Sequence, residues 1–229
     1  MNVINPSGRG SSIFLYGERS GGKDGNSVCS VCWQNLRNTF LKHFFSQTKP
    51  PKHHVGIYDN CVDQNKSNIV FKFEVMQLIL GFYMSKNKLF LIPRHSHNSS
   101  DVKTAELSKC SRNKNNYTID EMKEELKAVK DTEVFMLESG DFYEWEDVLN
   151  KYIKHRPSGF TSFYCFELVS GKVVMKKFCN EAVEEDVMTK DLVENVDAVK
   201  SAILNEVFGL SGDVTLTDII IKCGNLMKL

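Results

Sequence analysis

Short apolar runs that stop at turn residues alternate along this chain with segments whose apolar residues recur near a 3.6-residue period. That alternation limits the fold more than any single motif does. Residues 13–16, 54–58 and 88–93 read as strands. Between the first two, Asn26 or Ser27 caps a helix through Val28, Val31, Leu36 and Phe40 to about residue 45, where the Lys49-Pro50-Pro51-Lys52 stretch ends it. Ile69, Val70, Phe73, Met76, Leu80 and Phe82 mark a second helix over residues 65–83. Thr118 and Glu121 have capping-box spacing, which starts a helix running through Val129. Trp145, Val148, Leu149 and Tyr152 line one face of another helix within 142–153. Residues 161–168 and 172–178 flank Ser170 and Gly171 as a hairpin. Beyond Asn180 the chain is acidic and reads as helical. Strands alternating with helices, plus a hairpin at the sheet edge, make an α/β domain with a mixed sheet.

Composition narrows the function. Lys and Arg total 29 and Asp and Glu total 29, so the formal net charge is zero. A protein that coats DNA gains most of its non-specific affinity from excess positive charge, and this chain has none overall. The seven cysteines show no framework spacing, and the polar opening has no signal-like apolar stretch, which predicts reduced thiols in a nuclear or cytoplasmic protein. The apolar runs are too short and interrupted to span a bilayer, so no membrane association is expected.

Two clusters carry residue types suited to chemistry. Asp59 ends the strand over 54–58, where open α/β sheets place ligand-binding groups, although Asp-Asn is equally a turn pair. His95, His97 and Asp101 follow the strand over 88–93 in a polar loop, a set that suits a hard divalent ion or proton transfer, or else a solvated loop. If the two strands are parallel neighbours, their carboxylates meet at one sheet edge, as in two-metal nucleases. Glu18 follows the first strand and is a further acidic candidate. Cys29 and Cys32 form a single Cys-x-x-Cys inside a helical pattern, where they pack as small hydrophobes rather than bind zinc.

The ordered set of features resembles a known family. Asp59-Asn60-Cys61-Val62-Asp63-Gln64-Asn65-Lys66 is similar to the DNCxGQNKN signature of a transposase-like domain found in many animal proteins, itself similar to RNase H-fold nucleases of the DDE type. The family's aromatic-x-Glu and following helix start correspond to Tyr16, Glu18 and residues 25–30. Its His-containing segment corresponds to 90–101, and its Trp and terminal strand to Trp145 and 173–176. Departures are Asp63 and Arg94 in place of glycines and Val102 in place of an arginine. The family's first strand, which bears its first carboxylate, has no counterpart here.

The resemblance therefore implies an RNase H-like mixed sheet flanked by helices, lacking its first strand and followed by a helical C-terminal extension. The expected divisions are a flexible segment over 1–12, the domain over 13–179 and the extension over 180–229. It also implies Mg²⁺ held by Asp59 and Asp101, His95 assisting proton transfer, Glu18 nearby, and DNA as a partner. The function it implies is a degenerate or inactive metal-dependent nuclease. The alternative is a non-catalytic module that binds nucleic acid or protein. A third reading is an incomplete gene product with an aggregation-prone sheet edge.

Overall fold

The computed structural model describes residues 2–4, 10–62, 64–91, 99–112, 118–169, 172–177 and 187–225. In chain order the elements are β1 (Asn2–Ile4), β2 (Ser11–Leu15), α1 (Gly25–Phe45), β3 (His53–Tyr58), α2 (Asn68–Ile79), β4 (Ser85–Phe90), α3 (Ser99–Ser111) and α4 (Ile119–Lys127). They continue with β5 (Thr132–Met136), α5 (Trp145–Tyr152), β6 (Cys165–Val169), β7 (Lys172–Lys176), β8 (Val187–Asp191), α6 (Val196–Phe208) and α7 (Leu216–Asn225). The fold is α/β with a mixed sheet and flanking helices, as the alternation predicts.

Several element ends follow from local chemistry. Asp24 caps α1 by accepting from the Ser27 N–H at 2.8 Å, two residues before the expected cap. Ser67 caps α2, and Thr118 and Glu121 close the anticipated capping box on α4. Three strands depart from the expectations. β1 forms within the leading segment read as flexible, through antiparallel pairing with β2. β5 lies where no strand was expected and pairs in parallel with β2. β8 lies in the stretch read as helical and pairs antiparallel with β7. Each is short, and pairing with an already formed neighbour supplies the backbone partners its own sequence pattern does not announce.

The strands form two sheets. One has the order β1-β2-β5, and the other β3-β4-β6-β7-β8. In the larger sheet β3 and β4 are parallel, whereas the remaining neighbours are antiparallel. β2 buries both faces by strict alternation: Ile13 and Leu15 pack with Leu107 of α3 and Leu126 of α4, while Phe14 packs with Val31 of α1.

The principal core lies between the larger sheet and α1, α2, α5, α6 and α7. Trp33 of α1 stands at its centre, with ring centroids 5.8 Å from Trp145, 5.7 Å from Phe82 and 5.4 Å from Phe208. Leu192, Ile203, Leu204, Phe208, Ile219 and Ile220 belong to this same core, so the segment from Leu192 onward completes the domain rather than trailing from it. Unfolding of the whole chain should accordingly be one cooperative transition. Ile203→Ala should lower its free energy by about 2–5 kcal/mol, the cost of a large-to-small core change. Urea melts followed by tryptophan fluorescence and by far-UV circular dichroism check this, and coincident shifts in both signals are expected.

Candidate functional site: the Asp59–Lys66 turn and the polar layer beneath it

Asp59 leaves β3 at its carboxyl end, as the sequence predicts, and is exposed. Its Oδ1 accepts the Cys61 N–H at 3.1 Å and the Asn65 Nδ2 at 2.7 Å. The first contact is an Asx turn, and the second ties the start of the signature to its end. Gln64 Nε2 donates to the Lys23 carbonyl at 3.2 Å, which joins the turn to the glycine-containing loop ahead of α1. The Lys66 N–H closes the turn on the Cys61 carbonyl at 3.0 Å.

Lys66 itself is wholly buried. Its ammonium donates to the carbonyls of Thr161 and Phe163, both at 2.9 Å, and sits 4.6 Å from the ring centroids of Phe90 and Tyr164. Burial, with some repulsion from Lys88, brings its pKa down to about 8. Arg156 holds the same region: its Nη1 donates to the Lys66 carbonyl, and its N–H donates to Asn68 Oδ1 at 3.0 Å. The signature lysine therefore fixes the turn against the segment entering β6 and does not face solvent.

Beneath β3 and β4 lies a polar layer. Lys86 and Lys88 of β4 are buried, as are Glu74 and Gln77 of α2. Glu74 Oε1 accepts from Lys88 Nζ and from Tyr58 OH, each at 3.1 Å, and Gln77 Oε1 accepts from Lys86 Nζ at 2.8 Å. Burial pushes the Glu74 carboxyl up, but Lys88, Lys86 and His54 outweigh it and hold the group below its ordinary value. Burial raises the Tyr58 hydroxyl well above its usual range, and Glu74 adds to the effect. Burial also takes His54 from its ordinary 6.5 down to about 4, helped by the Lys86 charge. Glu74 Oε2 and His54 Nδ1 are buried with no hydrogen-bond partner among the described residues.

This layer was not anticipated, although its signal was present. Glu74 and Gln77, three apart, share one side of a helix, and Lys86 and Lys88, two apart, share one face of a strand. Cys29 and Cys32 border the layer from α1; burial raises both thiols, Cys32 to about 11, and they act as core groups.

The other expected site residues fall elsewhere. Glu18 is exposed and lines a polar cavity of about 260 Å³ with Arg19, Asp24 and Glu144, among others. Asn26 spans that region, donating to Glu144 Oε2 at 2.9 Å and accepting the Glu146 N–H at 3.0 Å. Asp101 is exposed in the first turn of α3, whose Leu107 packs into the β2 cluster rather than the principal core. His95, His97, Asp63 and Arg94 lie outside the described residues. Among the described residues no group of three or more His, Cys, Asp or Glu side chains is arranged to hold a metal ion. Asp59 Oδ1 is engaged by two donors, and Asp101 lies on α3, whose Leu107 packs in the β2 cluster.

Two outcomes follow from these contacts. Asp59→Asn keeps an Oδ1 acceptor and should melt close to wild type, while Asp59→Ala should lose about 1–3 kcal/mol, the net worth of its two hydrogen bonds. Thermal melts of the two variants check this. His54 is held neutral by the fold, so the unfolded chain binds the extra proton between about pH 6.5 and 4, and stability falls as pH drops through that window. His54→Phe retains a ring against Tyr83 and cannot titrate; it should flatten the upper part of that fall, read from urea midpoints across the range.

No helix among the described residues is long and apolar enough to cross a membrane. No curated protein and no solved structure matches the chain. A family described as Domain of unknown function (DUF7869) matches residues 8–182, which include the whole Asp59–Lys66 turn and every strand from β2 to β7. The chain belongs to that family.

Proposed function

We propose that this chain is a transposon-derived domain of RNase H type that serves as a protein-interaction module and not as a metal-dependent nuclease. One observation carries the reading: the Asp59 carboxylate holds its own turn together through Cys61 and Asn65. The rest of the signature supports it, because Gln64 and Lys66 are spent on the adjoining loop and on the β6 entry. A protein partner is favoured over DNA by the zero net charge and by Val55 and Ile57, which are 61% and 59% exposed on β3.

Supercoiled plasmid incubated with the chain and Mg²⁺ or Mn²⁺ provides the test. No nicking is expected, and calorimetry should give the same metal-binding heats for wild type and Asp59→Ala. Metal-dependent nicking that disappears in Asp59→Ala would overturn the proposal and restore Asp59 as a ligand. Anisotropy with labelled duplex DNA addresses the partner class. Saturable binding that weakens steeply with added salt would mark a nucleic-acid reader instead.

A further inference from the structure

β3 is the edge strand of the larger sheet, with β4 as its neighbour and no strand among the described residues on its other side. The Leu91 N–H donates to the Tyr58 carbonyl at 3.0 Å, so in the parallel ladder Tyr58, Gly56 and His54 aim their backbone groups at β4. His53, Val55 and Ile57 aim theirs at the open edge. The side chains of those three residues are also the exposed ones, on the face away from Glu74. Unpaired backbone groups beside exposed β-branched side chains are a template for another strand.

We propose that β3 is a dimerisation edge, pairing antiparallel with β3 of a second copy about a two-fold axis through Gly56. This register sets Val55 opposite the partner's Ile57 and Ile57 opposite the partner's Val55, so each exposed apolar residue meets an apolar residue. It sets His53 opposite the partner's Asp59. The two Val55–Ile57 pairs join residues whose N–H and C=O face outward, so each exchanges two hydrogen bonds. Gly56 lies at the axis in the closer, non-hydrogen-bonded pair.

Sliding the register by two residues would put Ile57 against His53 in one direction and Val55 against Asp59 in the other, and sliding by one would oppose outward to inward backbone groups. Charge favours the antiparallel sense. Lys49, Lys52 and His53 stand at one end of the strand and Asp59 at the other, so the two-fold brings each basic end to an acidic one. The two five-stranded sheets would become one continuous sheet. The dimer does not rest on the proposed function, since it holds whether or not the domain cleaves DNA.

Sedimentation velocity of the full chain at low and high micromolar concentration tests the dimer. The expected species at high concentration has twice the chain mass of 26.1 kDa. Ile57→Pro removes an outward N–H and no bond to β4, so it should give a monomer with an unchanged melting curve. Val55→Lys should also be monomeric, and it decides the matter if the proline variant fails to fold. Ile57→Val should remain dimeric. Hydrogen exchange should show the Val55 and Ile57 amides gaining protection as concentration rises. A wild type that stays monomeric, that grows into open-ended polymers, or whose edge is protected only by an added extended peptide of other sequence would overturn the proposal. So would a dimer that survives both the proline and the lysine changes.

Discussion

The burial of α2 on every side is the constraint on which the rest of the structure depends. From Ile69 to Ile79 every residue of this helix is buried, with α1, α5 and α6 around it and β4 and β6 beneath. A helix in that position has no solvated face, so each polar side chain on it needs a partner within the protein. Lys72 donates to Asn150 of α5 at 2.7 Å, Glu74 takes Lys88 and Tyr58, and Gln77 takes Lys86. These contacts fix the helix in rotation and translation against three neighbouring elements. A wholly apolar helix would pack as tightly but with less definite register, which is a reason to regard the buried ion pair as specifying the arrangement more than strengthening it.

The Asp59–Lys66 turn inherits its position from that layer. Tyr58 is tied from below by Glu74, and the next residue is Asp59. At the other end of the turn Lys66 reaches into the core just before Ser67 caps α2. The turn is therefore stretched between a strand and a helix that are already locked together, and its own side chains complete it. The density of internal hydrogen bonds at this segment accounts for its residue types as architecture.

The larger sheet is treated unequally on its two faces and at its β3 edge. The α1, α2, α5, α6 and α7 side carries the core, while the opposite face of β3 and β4 presents Val55, Ile57 and Asn87 to solvent. The β3 edge carries exposed backbone hydrogen-bonding capacity together with apolar side chains, a combination that soluble proteins ordinarily blunt with charge or proline. Among the described residues its local blunting is the Pro50-Pro51-Lys52 approach, which ends where the strand begins.

Much of the element order was legible in the chain because periodicity and capping are local properties. The helix after the glycine-containing loop, the capping box at Thr118, the paired strands around residue 170 and the strand leading to Asp59 all follow from neighbouring residues. The facing of β4 was not legible. In the sequence Ser85-Lys86-Asn87-Lys88-Leu89-Phe90, charge alone would send both lysines to solvent, but Phe90 shares their period and belongs to the core. Only the presence of Glu74 and Gln77 opposite makes burial of Lys86 and Lys88 affordable, and that juxtaposition exists after α2 docks. β5 and β8 were missed for a related reason, since their strand character comes from parallel or antiparallel partners distant in sequence. Local chemistry by itself determined where helices are capped and where the Asp59–Lys66 pattern of turn-forming residues falls. Tertiary structure alone decided that the pattern's carboxylate and lysine hold the fold together, because hydrogen-bond partners across the domain, and not residue type, set what a polar side chain does.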